Sequence, residues 1–279
     1  METLIRTHDL HLTYPDGTRA LTGIDVELYD SEIVGFIGQN GSGKSTLSKC
    51  LNATLKPTEG TVEVEGIDTT EKGASKKVVE KVGYVFQNPD HQLFNRTVWD
   101  EIAYGPRNLN IDEEEVDARV HEAASVAGVR EDLFENHPNN LTKGLRQRVA
   151  IASILAMKPK TIIVDEPTTG QDAKQSLEIM NFLQRLKEEE NRTIVIVTHI
   201  MPIVQQYTDR VITLWEGEKL MEGTPKEVFD RPDDLAKSAV RPSQIARFSH
   251  QLKERFPDID APYLTANEAI EDFTRVHQS

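Results

Sequence analysis

The chain has 279 residues, a mass of 31.4 kDa and 38% hydrophobic residues, which predicts one large domain with a substantial core and a smaller appendage. The formal net charge of −14 excludes broad binding to nucleic acid, because that function needs a basic surface. Mean hydropathy is −0.47 and the longest apolar runs have the length of strands, so we expect a soluble globular protein without a membrane-spanning helix.

The N-terminal segment and the cysteine content both favour a reducing cytoplasmic compartment. Residues 1–6 show no basic region followed by an apolar one, so no secretory signal is expected. Cys50 is the only cysteine, which excludes an intrachain disulfide. We expect Cys50 to be a small buried apolar residue rather than a reactive thiol.

The first third of the chain has the pattern of strands joined by turns. Polar and apolar residues alternate in several short segments, as in half-buried strands, and Pro15-Asp16-Gly17 is expected to turn the chain. A helix over 45–53 is expected to follow the third strand. The predicted strands cover 3–14, 23–28, 32–37, 61–65 and 82–86.

The middle of the chain changes to helical periodicity. Charged and apolar residues recur at spacings of three and four, and Pro106 and Pro138 are expected to punctuate the helices. The predicted helices cover 97–103, 113–127 and 142–157.

The last third returns to alternating strands and helices. We predict strands over 161–165 and 193–197, a helix over 172–190 between them, and a hairpin-like turn over 214–219. Beyond Pro225 the chain is polar and helical. The predicted apolar face of the helix over 172–190 consists of Ala173, Leu177, Met180, Leu183 and Leu186.

The phosphate-binding pattern G-x-x-x-x-G-K-[ST] lies between the predicted strand over 32–37 and the predicted helix over 45–53. Together with this order of elements, it predicts an α/β fold built on a P-loop nucleoside triphosphatase core with a mostly parallel sheet. We expect an antiparallel β region at the N-terminus, an inserted helical subdomain over about 87–138, and a small helical extension at the C-terminus. The predicted boundaries are 1–224 for the main domain and 225–279 for the extension.

The most informative motif is the run from Gly38 to Thr46, which fits the phosphate-binding pattern G-x-x-x-x-G-K-[ST]. Glycines let backbone N–H groups surround phosphate oxygens, Lys44 can reach the β- and γ-phosphates, and the Ser45 hydroxyl can bind Mg²⁺. The following helix points its positive end at the same anion. The candidate nucleotide-binding residues of this loop are Gly38, Asn40, Gly41, Ser42, Gly43, Lys44, Ser45 and Thr46.

A second motif places two carboxylates at the end of an apolar strand, in the run Ile162-Ile163-Val164-Asp165-Glu166-Pro167. Buried acids are costly unless they meet a cation or a positioned proton. Asp165 therefore suits Mg²⁺ coordination, and Glu166 suits the orientation or deprotonation of an attacking water.

With these two motifs the chain resembles the nucleotide-binding subunit of an ATP-binding-cassette (ABC) transporter, and the resemblance covers nearly the whole chain. It implies that 1–224 is the ABC ATPase domain and that ATP and Mg²⁺ bind there. The resemblance gives Gln87 a role in sensing Mg²⁺ and the attacking water, and Tyr14 a role in stacking on adenine. It further implies that His199 contacts the γ-phosphate and that Asp172 bridges two subunits.

One family motif is altered. The pattern L-S-G-G-Q is replaced by Leu141-Thr142-Lys143-Gly144-Leu145, at the start of the predicted signature helix over 141–157. In the family this helix binds the γ-phosphate held by the other subunit, which makes Thr142 and Gly144 candidate nucleotide contacts. Two hypotheses remain open: either the altered signature is functional, or its composite site is slow and a partner chain supplies a better one.

A narrower resemblance points to energy-coupling-factor transporter ATPases, which drive uptake of vitamins and of nickel or cobalt ions. It rests on the segments 86–94, 104–109 and 241–247. It implies a second ABC ATPase subunit, a transmembrane coupling protein and a membrane substrate-binding protein as partners, with this chain peripheral on the cytoplasmic face of the cell membrane. Leu93 and Phe94 are then candidate contacts with the transmembrane partner, or alternatively core residues of the helical subdomain.

The expected function is ATP hydrolysis that drives a membrane importer. An alternative is a soluble ABC-type ATPase acting on a partner outside the membrane. Chromosome-maintenance ATPases of that kind insert long coiled coils between the two motifs, whereas 121 positions without sustained heptads separate Lys44 from Asp165 here (165 − 44 = 121). A regulatory module that binds ATP without hydrolysing it is disfavoured by the presence of Glu166.

Overall fold

The computed structural model describes residues 2–169, 171–256, 259 and 261–278, and at 273 and 276–278 it describes the backbone alone. The strands are β1 (Thr3–Thr13), β2 (Arg19–Ile24), β3 (Glu27–Tyr29), β4 (Ile33–Ile37), β5 (Glu59–Val64), β6 (Ile67–Asp68), β7 (Val82–Val85), β8 (Thr161–Asp165), β9 (Thr193–Val197), β10 (Arg210–Trp215) and β11 (Glu218–Gly223). The helices are α1 (Lys44–Leu51), α2 (Ala74–Val79), α3 (Val98–Asn108), α4 (Glu113–Ala127), α5 (Lys143–Leu155), α6 (Ala173–Glu190), α7 (Met201–Tyr207), α8 (Pro225–Phe229), α9 (Pro232–Lys237), α10 (Gln244–Arg255) and α11 (Ala266–Gln278).

The first sheet is antiparallel and contains the N-terminal strands. Its order is β2-β1-β5-β6, and β3 also pairs with β1. The prediction of a single strand over 23–28 is wrong, because two residues outside any strand separate β2 from β3. At this interruption Val26 N donates to the Thr7 hydroxyl at 2.9 Å instead of continuing a regular ladder. The expected antiparallel region at the N-terminus is confirmed.

The second sheet has the order β11-β10-β4-β9-β8-β7, and all its pairings are parallel except that of β10 with β11. Strands β4, β8 and β9 are buried at every position. One face of this sheet packs against helices α3 to α6, and the other packs against α1 and the antiparallel sheet. The ladder pairs Asp165 with Val197, and Val197 with Phe36. The carboxyl ends of β4, β8 and β9 therefore meet at one edge, where open α/β sheets bind ligands.

Helices α3, α4 and α5 pack against one another around a shared apolar cluster. Pro106 does not end the first of these helices, contrary to the prediction, but lies inside α3. The position is tolerated because only two residues follow before the helix ends, and the Pro106 carbonyl accepts from Leu109 N at 3.1 Å in the closing turn.

Helix α6 buries only the C-terminal part of the apolar face that was predicted. Met180, Leu183 and Leu186 are buried as expected, but Ala173 is exposed and Leu177 is 50% exposed. The first turns of the helix therefore lie beyond the core. Packing against the sheet begins at Ile179 and includes Phe182.

The C-terminal part follows the hairpin of β10 and β11, whose turn contains Glu216 and Gly217 with φ of 48° and 83°. Helices α8 to α11 follow it. The boundary between 224 and 225 stays a prediction, and the predicted extension includes residues 257, 258, 260 and 279, which lie outside the described residues. Across the described part of the chain, no helix combines the length and apolarity needed to cross a membrane.

Candidate functional site

The phosphate-binding motif forms a tight loop between β4 and α1. Gly38, Gly41 and Gly43 have φ of 146°, 81° and 102°, a region that favours glycine. A Cβ on Gly38 would lie 2.2 Å from the Leu214 carbonyl oxygen, and one on Gly43 would lie 2.8 Å from that of Ala20. Glycine is therefore required both for the backbone conformation of the loop and for its close approach to neighbouring strands.

Lys44 is the first residue of α1 and is almost completely buried, with 8% exposure. Its Nζ donates to the carbonyl oxygens of Gly38 at 2.9 Å and Gln39 at 2.8 Å. Burial lowers the pKa of Lys44, while the nearby carboxylates of Glu166 and Asp165 act in the opposite direction. A cation is thus held inside the loop, within the electrostatic reach of both acids.

Tyr14 lies across the loop from the start of α1. Its hydroxyl and that of Thr46 are 3.0 Å apart. The turn predicted at Pro15-Asp16-Gly17 is closed by Tyr14 N donating to the Thr18 carbonyl oxygen at 2.9 Å. This turn brings Thr18 and Arg19 to the same cavity, and the sequence analysis missed both. The turn itself was the available signal, since the residue after a tight turn lies beside the residue before it.

Asp165 ends β8 and is 7% exposed. Its Oδ2 accepts a hydrogen bond of 2.8 Å from the hydroxyl of Tyr84, a residue of the neighbouring strand β7. Burial, and then the negative charge of Asp165, raise the pKa of Tyr84. The phenol is therefore a neutral donor, and sequence reasoning missed it because an isolated tyrosine in a strand normally indicates packing.

Glu166 has φ of 50°, which is strained for a residue other than glycine. Its Oε1 lies 2.7 Å from His199 Nδ1, and its Oε2 accepts from the hydroxyls of Thr169 at 3.1 Å and Thr198 at 3.3 Å. The Glu166 side chain is 10% exposed and that of His199 is 61% exposed. The Glu166 carboxylate is therefore held by three hydrogen-bonding partners, while the more exposed imidazole of His199 lines the open cavity.

These residues surround one cavity of about 540 Å³ at the carboxyl edge of the parallel sheet. The structure brings together there most of the residues that the sequence singled out. The lining residues are Tyr14, Thr18, Arg19, Ala20, Asn40, Gly41, Gly43, Lys44, Ser45, Thr46, Gln87, Asp165, Glu166, Val197 and His199.

The cavity offers oxygen donors that fit Mg²⁺. They are the hydroxyl of Ser45, the amide oxygen of Gln87 and the carboxylate of Asp165. Within the described ranges, no group of three or more histidine, cysteine, aspartate or glutamate side chains could hold a metal ion. This set suits Mg²⁺, because that ion usually binds through one or two carboxylates together with waters and substrate phosphates rather than in a cage of protein ligands.

Of the described residues, five predicted site residues do not line this cavity. Gly38 and Ser42 belong to the phosphate loop itself, whereas Thr142, Gly144 and Asp172 lie at the N-termini of α5 and α6. Thr142 caps α5 by accepting from Leu145 N at 3.4 Å, and Asp172 caps α6 by accepting from Gln175 N at 2.8 Å. Both caps are exposed, so one chain does not bring this part of the predicted site to the phosphate loop.

The two caps are neighbours on the surface. A Cβ on Gly144 would lie 3.1 Å from Gln171 Oε1 and 3.2 Å from Gln175 Oε1, so α5 and the start of α6 approach closely at this glycine. Lys143 is exposed at the N-terminus of α5, and Leu145 packs against the helical core. Packing therefore explains why Leu145 stands where the family motif has glutamine. Lys143, by contrast, faces solvent.

A second, apolar groove of about 300 Å³ lies beside α3, with Val79, Phe94, Tyr104, Leu109 and Met157 among its lining residues. Phe94 is 65% exposed and meets Tyr104 edge to face, with ring centroids 4.8 Å apart. Leu93, by contrast, is 8% exposed and belongs to the core. The alternatives left open by the sequence thus separate: Leu93 is a core residue and Phe94 is a surface residue.

Comparison with known proteins gives consistent results. The model of the ABC transporter family matches residues 21–169. The energy-coupling factor transporter ATP-binding protein EcfA2 of Caldanaerobacter subterraneus is 40% identical over 276 residues, covering 97% of this chain and 96% of the relative. An ABC transporter ATP-binding protein of the same bacterium is 42% identical over 259 residues, and there the chain spans 45% of the relative's length.

Two solved structures are similar over most of the chain. The structure of cbiO1 from Clostridium perfringens, described as part of the ABC transporter complex cbiONQ, has a TM-score of 0.76 and 36% identity, covering 91% of this chain and 100% of that one. A dimeric ATP-binding cassette, MJ0796, bound to ADP and Pi, has a TM-score of 0.73 and 31% identity, covering 80% of this chain and 99% of that one.

Proposed function

The chain belongs to the ABC transporter family, among the ATP-binding proteins of energy-coupling factor transporters, and on this premise we propose how its residues bind ATP, hydrolyse it and drive uptake. It is an ABC ATPase. The observation that carries the proposal is the meeting of the phosphate loop with Asp165, Glu166 and His199 around one cavity.

The triphosphate lies along the loop between β4 and α1, where backbone N–H groups and the positive end of α1 favour an anion. Lys44 exchanges the carbonyl oxygens that it now contacts for phosphate oxygens. The ring of Tyr14 stacks on adenine, and its hydroxyl, 3.0 Å from that of Thr46, fixes the ring relative to α1. Arg19 reaches the same cavity and adds positive charge beside the nucleotide.

Ser45, Asp165 and Gln87 would hold Mg²⁺ through oxygen atoms, and the bound ion would neutralise the charge of the phosphates and orient them. Asp165 lies at the end of β8, and one of its carboxylate oxygens accepts a hydrogen bond from Tyr84. Gln87 lies in the segment after β7.

Glu166 is the base for the attacking water. The water oxygen forms a bond to the γ-phosphorus, the bond from phosphorus to the β,γ-bridging oxygen breaks, and Glu166 accepts the proton that the water gives up. The hydroxyls of Thr169 and Thr198 and the imidazole of His199 hold this carboxylate in place. His199 is exposed enough to reach the γ-phosphate as well.

The surface at Thr142, Gly144 and Asp172, of which Thr142 and Asp172 are exposed, acts across a dimer. None of the three residues lines the cavity of its own chain, as a shared site requires, and the surface then completes the site of a second ABC ATPase subunit. The dimeric cassette among the similar structures supports this arrangement. The N-terminus of α5 would face the γ-phosphate of the other subunit.

The groove beside α3 is the proposed docking surface for a transmembrane coupling protein. Phe94 and Tyr104 line the groove and expose aromatic surface, which is unusual for a surface without a binding partner. The chain would then lie on the cytoplasmic face of the cell membrane, beside a coupling protein and a membrane substrate-binding protein. The alternative, an ATPase with a partner outside the membrane, would bind that partner at the same groove.

The test uses the purified full chain, ATP and Mg²⁺, with release of inorganic phosphate as the readout. We expect Glu166→Gln to keep ATP binding within about twofold and to lower kcat by a factor of about 10² to 10⁴, the usual contribution of a general base. Glu101→Gln is the matched control, because Glu101 is also buried (3% exposed) and hydrogen-bonded but does not line this cavity. Full hydrolysis by Glu166→Gln would refute the assigned role.

A further inference from the structure

Tyr84 places a hydroxyl group beside the carboxylate at the end of β8. The phenol oxygen lies 2.8 Å from Asp165 Oδ2, and the two residues are 6% and 7% exposed. A hydrogen bond from a neutral donor to a buried carboxylate is among the stronger ones in proteins. The contact joins residues 81 positions apart in the chain, so only the pairing of β7 with β8 creates it.

The ring of Tyr84 is held independently of this hydrogen bond. It belongs to an apolar cluster with Val82, Ile163 and Val197, and it meets Phe86 edge to face with centroids 5.0 Å apart. The hydroxyl therefore has a fixed position, determined by packing, from which it can determine the orientation of the carboxylate.

A free aspartate carboxylate has a broad rotational distribution about its last torsion. The hydrogen bond to Oδ2 removes this freedom and leaves Oδ1 as the oxygen available to the cavity. Lys44 is the competing partner, because its positive charge interacts with Asp165. Without the phenol, the carboxylate can turn towards that ammonium instead of towards the metal position.

We propose that Tyr84 is a positioning residue that orients Asp165 for Mg²⁺ through its hydroxyl group. The proposal rests on the function proposed above for Asp165. It assigns a role in nucleotide binding to a strand residue that does not itself line the cavity. Partners of this kind, behind a metal ligand, typically contribute tenfold or more to metal affinity.

The experiment measures nucleotide affinity of the full chain with a fluorescent ATP analogue, once with excess EDTA and once with Mg²⁺. The ratio of the two dissociation constants reports how much the metal strengthens binding. We expect Tyr84→Phe to leave the affinity in EDTA unchanged and to reduce the ratio about tenfold. Bound Mn²⁺ in the presence of ADP, counted by electron paramagnetic resonance, should fall in parallel.

Tyr207→Phe is the matched control. It removes a hydroxyl that donates to Asn181 Oδ1 at 3.0 Å from a ring that is 9% exposed, and it does not line the nucleotide cavity. The control should keep the ratio of the wild type. Tyr84→Leu, which also lacks the hydroxyl, provides a second measurement if Tyr84→Phe does not fold.

The outcomes separate the two proposals. If Mg²⁺ does not strengthen binding in the wild type, the proposed metal site is wrong and the role of Tyr84 is wrong with it. If the wild type responds to Mg²⁺ and Tyr84→Phe responds equally, only the role of Tyr84 is overturned. An equal loss of affinity with and without Mg²⁺ would show a merely structural residue and would also overturn the proposal.

Discussion

Removing the ammonium group of Lys44 tests the geometry of the phosphate loop most directly. The group is 8% exposed, so its attraction to a phosphate oxygen is only partly screened by water. At about 4 Å and an effective dielectric constant of about 20, that attraction is about 4 kcal/mol. Binding must also break the hydrogen bonds to Gly38 and Gln39, at 2.9 and 2.8 Å, which offset part of this gain.

A net contribution of about 2–3 kcal/mol then corresponds to a loss of about 30- to 150-fold in affinity for Lys44→Ala. The assay is a titration with a fluorescent ATP analogue. Folding should be preserved, because the hydrogen bonds to Gly38 and Gln39 that the variant loses contribute about 1 kcal/mol each. The melting temperature of the variant should therefore fall by only a few degrees.

Lys56→Ala is the control, since Lys56 is exposed and its ammonium group also donates to a backbone carbonyl, that of Thr70 at 3.2 Å. It should bind the analogue as the wild type does. A change of less than threefold for Lys44→Ala, with the fold intact, would refute the reasoning, because the buried ammonium would then have no role in holding phosphate.

Two further predictions concern surfaces outside the cavity. Phe94→Ala should leave the ATPase activity of the isolated chain within about twofold, because a side chain that is 65% exposed contributes little to the fold. It should weaken co-purification with a co-expressed transmembrane coupling protein, and equal co-purification would exclude the groove as the docking surface. Lys143→Gly should raise the KM for ATP about threefold and should make the KM less dependent on salt, as expected for the loss of one exposed ammonium near phosphate. A higher kcat would favour the hypothesis that the altered signature makes the site slow, and an unchanged kcat would exclude that hypothesis.

The sequence was sufficient to predict features that are formed by residues close together in the chain. The phosphate loop could be predicted because the glycines, Lys44 and Ser45 act within one turn between a strand and a helix. The strands at 161–165 and 193–197 have the predicted bounds, since apolar runs of that length are typical of a parallel sheet. Cys50 is buried as expected, and burial raises its pKa to about 12.

The sequence was insufficient where packing decides between two local possibilities. Leu93 and Phe94 are adjacent apolar residues, and only the position of α3 places one in the core and the other on the surface. Pro106 signals the end of a helix, but it is tolerated inside α3 because the helix ends within the next turn. Leu177 fits the apolar periodicity of α6, yet it is 50% exposed, because the residues of α6 that pack in the core begin at Ile179.

By itself, then, the sequence determined that this protein has a phosphate loop and a pair of acids, because those motifs are contiguous and their chemistry is local. The tertiary structure decided which groups hold the acids. Glu166 meets His199 because β8 and β9 pair in register, and Asp165 meets Tyr84 because β7 lies on the other side of β8. Strand order is a long-range property of the sheet, so no spacing along the chain reveals it.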